Sequence, residues 1–314
     1  MSAIPALYPN QVPRVNVIAG VPVREDILLT DHKGVEKARL RKDAEKALDQ
    51  LQSVLPRLLE PQEAVLFVAQ AIAPLSTVEQ LTLGWYAYAL HSVVLVLTNK
   101  RLLRMRVRGK SFGKGWTWTR GVMAARWDDL ASAKVKGWLS HTLLFEYRNN
   151  KKERYWRVNG KAAKKLKALL PALVPAGAGQ PTEAQGMVSL CPDCLQVLQP
   201  RVYQCAHCGL VFKNETTLLW RNYLLPGGGY IYAGWGVLGF LHAIVDLALI
   251  VEMISFALYA LRILPPPPPD PGQAPITPDG AAIAFAVVFV LFLLENTVAW
   301  LHNRRLIREF VPVR

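Results

Sequence analysis

Cysteine is scarce in this sequence: there are four in 314 residues, all between positions 191 and 208. Two tight pairs in so short a stretch exclude a secreted disulfide scaffold, whose cysteines spread over the domain they staple, and favour a reducing compartment. Acidic residues are also few, 23 against 37 Lys or Arg, leaving a net charge of +14. The first 23 residues lack a basic segment followed by an apolar run, so no cleavable signal peptide is expected. There is no phosphate-binding loop, no nucleophile elbow and no HExxH, and the six histidines have no motif partners, which argues against an enzyme.

What is present is unevenly spread. A hydrophobic content of 52% and a charge of +14 rarely coexist in one uniform globule, so they belong to different segments. Twenty Lys or Arg lie between positions 100 and 167, opposed only by Asp128, Asp129, Glu146 and Glu153. An anionic partner would meet this stretch. Strand alternation sends Arg104, Arg106 and Arg108 to one side, flanked by Lys100, Arg101 and Lys110, and these six are the candidate lipid- or partner-binding residues. The competing reading is that they are solvated or paired with Asp128, Asp129 and Glu146.

The order of patterns predicts a multidomain α+β membrane protein. Residues 1–23, with four prolines, read as a disordered N-terminus, and 24–58 as an amphipathic helix whose stripe is Val35, Leu40, Ala44, Leu48, Leu51 and Leu55. That stripe is expected to pack on its own domain, with a coiled coil as the alternative. Strand-like runs follow at 63–73, 89–107, 121–127, 131–136, 142–147 and 154–158. A helix capped by Asn159 and ended by Pro171 and Pro175 then closes the segment. This order, together with the string LVLTNKRLLRM at 95–105, resembles the bacterial pleckstrin-homology-like family over residues 59–174. The resemblance implies a bent seven-stranded antiparallel sheet capped by one helix, used for binding and not for catalysis. Residues 175–187, rich in Gly, Ala and Pro, read as a flexible linker.

Cys191-Pro-Asp-Cys194 and Cys205-Ala-His-Cys208 place two thiolates in each of two tight turns, joined by a stretch long enough for a hairpin. Tetrahedral Zn²⁺ takes such a set, and four thiolates leave no open position, so one structural Zn²⁺ per chain is expected. Gly209 permits the positive φ that closes a knuckle, and Tyr203, Val211 and Phe212 can pack beside it. Residues 188–214 resemble the rubredoxin-like zinc ribbons.

Residues 236–264 and 281–301 are apolar stretches of 29 and 21 residues, each long enough as a helix to cross ~30 Å of hydrocarbon. Counted with their flanks, 224–264 form the first transmembrane helix and its Gly-rich entry, and 281–314 the second helix and a basic tail. Between them, 265–280 is a Pro-rich external loop that opens on five consecutive prolines. Residues 263–280 contain no Lys or Arg, whereas basic residues precede the first span and follow the second, so both termini are expected on the cytoplasmic side of an inner (plasma) membrane. The entry LLPGGGYIYAGWG at 224–236 resembles the opening of small two-helix membrane modules; the alternative is that its glycines are merely flexible. His242 and Asp246 share a helix face, and Glu295 returns at a similar depth. Either the three form an intramembrane polar cluster or each reaches interfacial water.

These readings predict a membrane-anchored adaptor whose basic domain meets membrane lipids or a protein partner, with self-association open. The alternative is a membrane-tethered nucleic-acid binder in which Trp116, Trp118 and Trp127 stack on bases.

Overall fold

The computed structural model describes residues 14–84, 86–109, 115–174, 181–268 and 275–313. Residues 1–13 of the expected disordered segment, Lys110, the first part of the linker and residues 269–274 of the proline loop lie outside them. The chain divides into two compact units, 1–210 and 211–314.

The first unit opens with a hairpin, β1 (Val15–Ile18) and β2 (Val21–Arg24), where composition predicts disorder. Val21 and Val23 are fully buried, and β2 touches β3 (Val65–Ile72) at Val23. The amphipathic stretch is broken into α1 (Glu25–Leu28), α2 (Ala38–Asp49) and α3 (Leu55–Leu58). Asp31 interrupts the helix by accepting the backbone N–H groups of Lys33 and Val35, a local bond that competes with helix.

After β3 come α4 (Thr77–Leu83) and α5 (Tyr86–Leu90), then β4 (Ser92–Thr98), β5 (Arg101–Gly109) and β6 (Trp116–Arg126). Strands β7 (Leu130–Lys136), β8 (His141–Tyr147) and β9 (Lys152–Val158) form a second meander, and α6 (Gly160–Leu173) follows. Asn159 caps α6 through Lys161 N. Pro171 does not end α6, which runs two residues past it. In the last turn the missing N–H forfeits a single bond. The strand order is β10-β6-β5-β4-β3-β9-β8-β7, with β10 (Val188–Leu190) at one edge.

β4 shows why both faces of this sheet are covered. Its alternation sends Val93, Leu95 and Leu97 into one core with Leu143, Phe145, Tyr155, Leu166 and Leu169, and Val94 and Val96 into another with Leu48, Leu51, Leu55, Leu103 and Met105. The helix α6 and β7–β9 close the first face, and the N-terminal helical segment closes the second. A strand buried on both faces reads as a continuous apolar run, which is what SVVLVLT is.

The insertion before β4 is held by Ser76 and Glu79. Ser76 Oγ accepts Glu79 N at 3.2 Å and Ser76 N donates to Glu79 Oε2 at 2.8 Å, while Glu79 Oε1 lies 3.1 Å from His91 Nε2. Burial pushes the Glu79 carboxyl up, but the His91 contact and the Ser76 N–H and hydroxyl outweigh it and hold the pKa down to about 2. A depressed carboxyl pKa stabilises the fold fully above the ordinary carboxylate range and loses that contribution as pH falls towards 2. Glu79→Gln is therefore expected to lower the unfolding free energy by roughly 2 kcal/mol at neutral pH and much less near pH 3. Thermal midpoints of the full chain at the two pH values check this; an equal shift at both would refute it.

The second unit is helical: α7 (Glu215–Leu224), α8 (Gly228–Ala233), α9 (Gly236–Ala260) and α10 (Pro278–Ile307). The 25-residue α9 and 30-residue α10 are long and apolar enough to cross a membrane, at ~38 and ~45 Å. Their sides carry exposed Val237, Phe240, Ile244, Val251, Ile283, Val287 and Leu294. Thr277 caps α10 through Gly280 N. Past its apolar stretch α10 continues to Arg304 and Arg305, and Glu215 accepts from Arg304 and from Arg308 Nε at 2.8 Å.

Candidate functional sites

The four cysteines converge. Cys191 directly follows β10, and its N–H donates to Gln196 O at 2.9 Å while Leu195 N donates to Cys191 O at 2.9 Å. The second knuckle repeats the pattern: Cys205 N donates to Leu210 O at 2.8 Å and Gly209 N to Cys205 O at 2.9 Å. Leu195 and Gly209 hold the matching positive φ, 65° and 74°. The sulfurs of Cys191 and Cys208 lie 3.5 Å apart, those of Cys194 and Cys205 3.4 Å, all four thiols are free, and the four sulfurs lie within 4.8 Å of one another. Four metal–sulfur bonds of ~2.3 Å at tetrahedral angles need sulfurs ~3.8 Å apart, so the set fits a metal ion. Burial pushes the Cys191 thiol up to about 12. At Cys205 burial also acts upwards, but the N–H groups of Cys208 and His207 hold the thiol down to about 6. His207 is exposed.

The four-cysteine segment is not a freestanding module. β10 is an edge strand of the sheet, Arg120 pairs with Asp193, and Arg57 Nη2 donates to Asp193 O at 2.7 Å. The second half of the expected flexible linker is fastened too, since Thr182 N and Oγ1 both donate to Asp129. Phe212 lies 5.4 Å from the Phe310 ring, both in the second unit.

The expected arginine face is turned inward. Arg104 and Arg106 are 9% and 6% exposed, and Arg108 is half-buried. Arg104 hydrogen-bonds Tyr155, whose hydroxyl donates to Glu153 Oε2 at 2.8 Å. Arg101 donates to both oxygens of Glu63, at 3.1 and 3.0 Å, and Lys100 Nζ to Pro61 O at 2.8 Å. The reason is topological: β5 is central, so a shared side of that strand is a covered side. Exposed cations lie elsewhere, at Lys134 and Lys136 on β7, Arg154 on β9, and Lys161, Lys164 and Lys167 on α6.

Among them stands a feature that composition does not single out. The β7–β8 turn is Gly-Trp-Leu-Ser, and Trp138 and Leu139 are 86% and 82% exposed at its tip. The turn is fixed by His141 Nδ1, 2.8 Å from Gly137 O, and the first turn of α6 approaches His141 at Gly160. The available signal was a Trp-Leu pair at a turn position where polar residues are the rule.

In the second unit, His242, Asp246 and Glu295 come together. His242 Nδ1 lies 3.0 Å from Asp246 Oδ2, and Nε2 lies 3.0 Å from Glu295 Oε1. Asp246 also accepts Gly227 N at 2.8 Å and Asn296 Nδ2 at 3.0 Å, and Asn222 Nδ2 donates to Asn296 O at 2.8 Å. Asp246, Asn296 and Asn222 are buried. The two asparagines and the Gly227 N–H are partners that hydropathy does not suggest. Glu252 is exposed on α9. Compared with known proteins, the chain matches no family model, no curated protein and no solved structure.

Proposed function

We propose that this chain is a two-pass, membrane-anchored docking protein without enzymatic activity. In this reading its pleckstrin-homology-like domain engages anionic phospholipid, its four-cysteine ribbon carries structural zinc, and both termini face the cytoplasm. The observation that carries it is the β7–β8 tip, where Trp138 and Leu139 project into solvent on the turn that directly follows the exposed Lys134 and Lys136 of β7. Trp prefers the membrane–water interface, an exposed Leu gains from the acyl boundary, and lysines behind them meet the headgroup charge. Two four- and three-strand meanders followed by one closing helix support the family resemblance. The wrapping of β10 and the ribbon onto the same sheet favours one rigid docking body over separate adaptors.

Each cation near an anionic surface contributes about 1 kcal/mol, so Lys134→Ala with Lys136→Ala is expected to weaken vesicle binding about 30-fold at moderate salt. Trp138→Ala with Leu139→Ala is expected to weaken it about tenfold or more with little salt dependence. Flotation of residues 1–210 with phosphatidylserine-containing and neutral vesicles, over a salt series, measures both. Equal flotation of all proteins would remove the tip and its lysines from the reading, and binding to single-stranded nucleic acid with none to vesicles would replace it by the nucleic-acid one.

A further inference from the structure

Independently of that surface, we propose that the paired long helices hold a second metal site, in which His242 Nε2 and the Glu295 carboxylate bind one divalent transition-metal ion and Asp246 positions the imidazole. The starting point is a mismatch of hydrogens. Each ring nitrogen of His242 faces a carboxylate oxygen at 3.0 Å, Asp246 Oδ2 on one side and Glu295 Oε1 on the other. A neutral imidazole has one N–H to offer, so one of these contacts lacks a hydrogen.

The surroundings identify which. Asp246 is organised as a hydrogen-bond acceptor: Gly227 N reaches Oδ2 and Asn296 Nδ2 reaches Oδ1. With Nδ1–H completing that set, the lone pair of Nε2 points towards Glu295. A carboxylate behind the imidazole and a metal in front of it is the arrangement that fixes the tautomer and raises the basicity of a ligating histidine. On the Glu295 side, Oε2 is buried with no donor hydrogen-bonded to it, and the carboxyl lies within hydrogen-bonding reach of Asp246, itself an acceptor. A cation bridging Nε2 and both Glu295 oxygens gives that atom a partner.

Charge points the same way. Two carboxylates and a neutral imidazole carry −2 between helices whose outer sides are apolar. A doubly protonated imidazole alone leaves −1, and residual charge in such surroundings is costly; a divalent ion brings the cluster to zero, as would one further proton on a carboxyl, which the metal analysis below distinguishes. The donor set of one imidazole and carboxylate oxygens, without sulfur, suits zinc, manganese, cobalt or ferrous ions and not cuprous ion. One ligand comes from α9 and the other from α10, so the metal would also tie the two helices.

The test uses the full chain in lipid nanodiscs, loaded with Zn²⁺, desalted and analysed for metal, and separately titrated with Mn²⁺ followed by electron paramagnetic resonance. The wild-type chain is expected to hold two equivalents of zinc, and His242→Ala and Glu295→Gln one each, with the four-cysteine site unaffected. Asp246→Asn is expected to keep the second equivalent with an affinity ten- to a hundredfold weaker, the size of effect seen when a positioning partner is lost. Should these variants fail to fold, the Mn²⁺ titration of the wild-type chain decides, since a four-thiolate site takes Mn²⁺ poorly. A single zinc equivalent in the wild-type chain, together with no saturable Mn²⁺ signal, would show that the cluster holds protons only and overturn the proposal.

Discussion

Cys205→Ser is expected to abolish stoichiometric zinc binding in residues 1–210 and to open the four-cysteine segment to proteolysis. The knuckles have little core of their own: between 187 and 210 the buried apolar side chains are Leu190, Pro192 and Leu198, with Cys191 and Cys205 themselves, and the ties to the sheet run through β10 and Asp193. Apparent binding free energies for structural zinc run to about 10–16 kcal/mol, and where the apo form is open that energy is folding energy. Removing one of four thiolates opens the coordination sphere to water. It also removes a sulfur whose ionised form the N–H groups of Cys208 and His207 favour, whereas burial works against ionisation of Cys191. Protease cleavage between Cys191 and Cys208 should accelerate by orders of magnitude, whereas β4 and β5, buried on both faces, stay protected. Asp193→Ala is the control: it releases Arg120 from the knuckle but leaves the carbonyl that Arg57 bonds and all four ligands, so zinc should remain. Full zinc content and unchanged protease resistance in Cys205→Ser would sink the assignment.

The parts of this protein that were legible in the sequence are those where one local rule decides. Two Cys-x-x-Cys turns have few uses, and the sulfurs converge as their spacing predicts. Long apolar runs make helices of membrane-crossing length, and β-branched runs make strands near the expected positions. What failed was each inference that needed to know what lies across from an element. Alternation correctly places Arg104 and Arg106 on one side of β5, but it cannot say that β7–β9 and α6 cover that side. The prolines of the N-terminal segment suggested disorder, yet Pro22 sits inside a two-stranded hairpin at the sheet margin, a setting that tolerates a missing N–H. The linker composition is non-periodic and implies flexibility, but Asp129 fastens it at Thr182 through a contact 53 residues distant in sequence. For the polar cluster, one helix face supplied His242 and Asp246, and only the packing of α7, α9 and α10 adds Asn222, Asn296 and the Gly227 N–H.

Gly227→Ala is expected to be the most damaging single methyl in the second unit, because Gly227, Gly228 and Gly229 are close-packed and not merely flexible. Gly227 sits at φ +65°, where an L side chain costs about 1–2 kcal/mol. A Cβ there would come 1.9 Å from Gly239 O and 2.8 Å from Gly239 C. Both are backbone atoms of α9, so no rotamer change relieves the overlap, and α9 must move away or the turn must unwind. Overpacking of this kind adds about 1–3 kcal/mol, and the shift also draws the Gly227 N–H off Asp246 Oδ2, leaving a buried carboxylate short of a donor. A total loss of roughly 3–5 kcal/mol follows from these terms, enough to prevent a hairpin of ordinary stability from accumulating or to lower its thermal midpoint by ~10 °C or more. Gly236→Ala is the matched comparison. It adds the same methyl at the first residue of α9, where nothing lies within 4 Å and φ is ordinary, so it should be neutral or slightly stabilising. Thermal scans of both variants in detergent, read by the loss of monodisperse protein, separate the two cases. Equal midpoints for Gly227→Ala and Gly236→Ala would mean that the glycine-rich entry is a flexible leader after all, with no part in holding Asp246 in place.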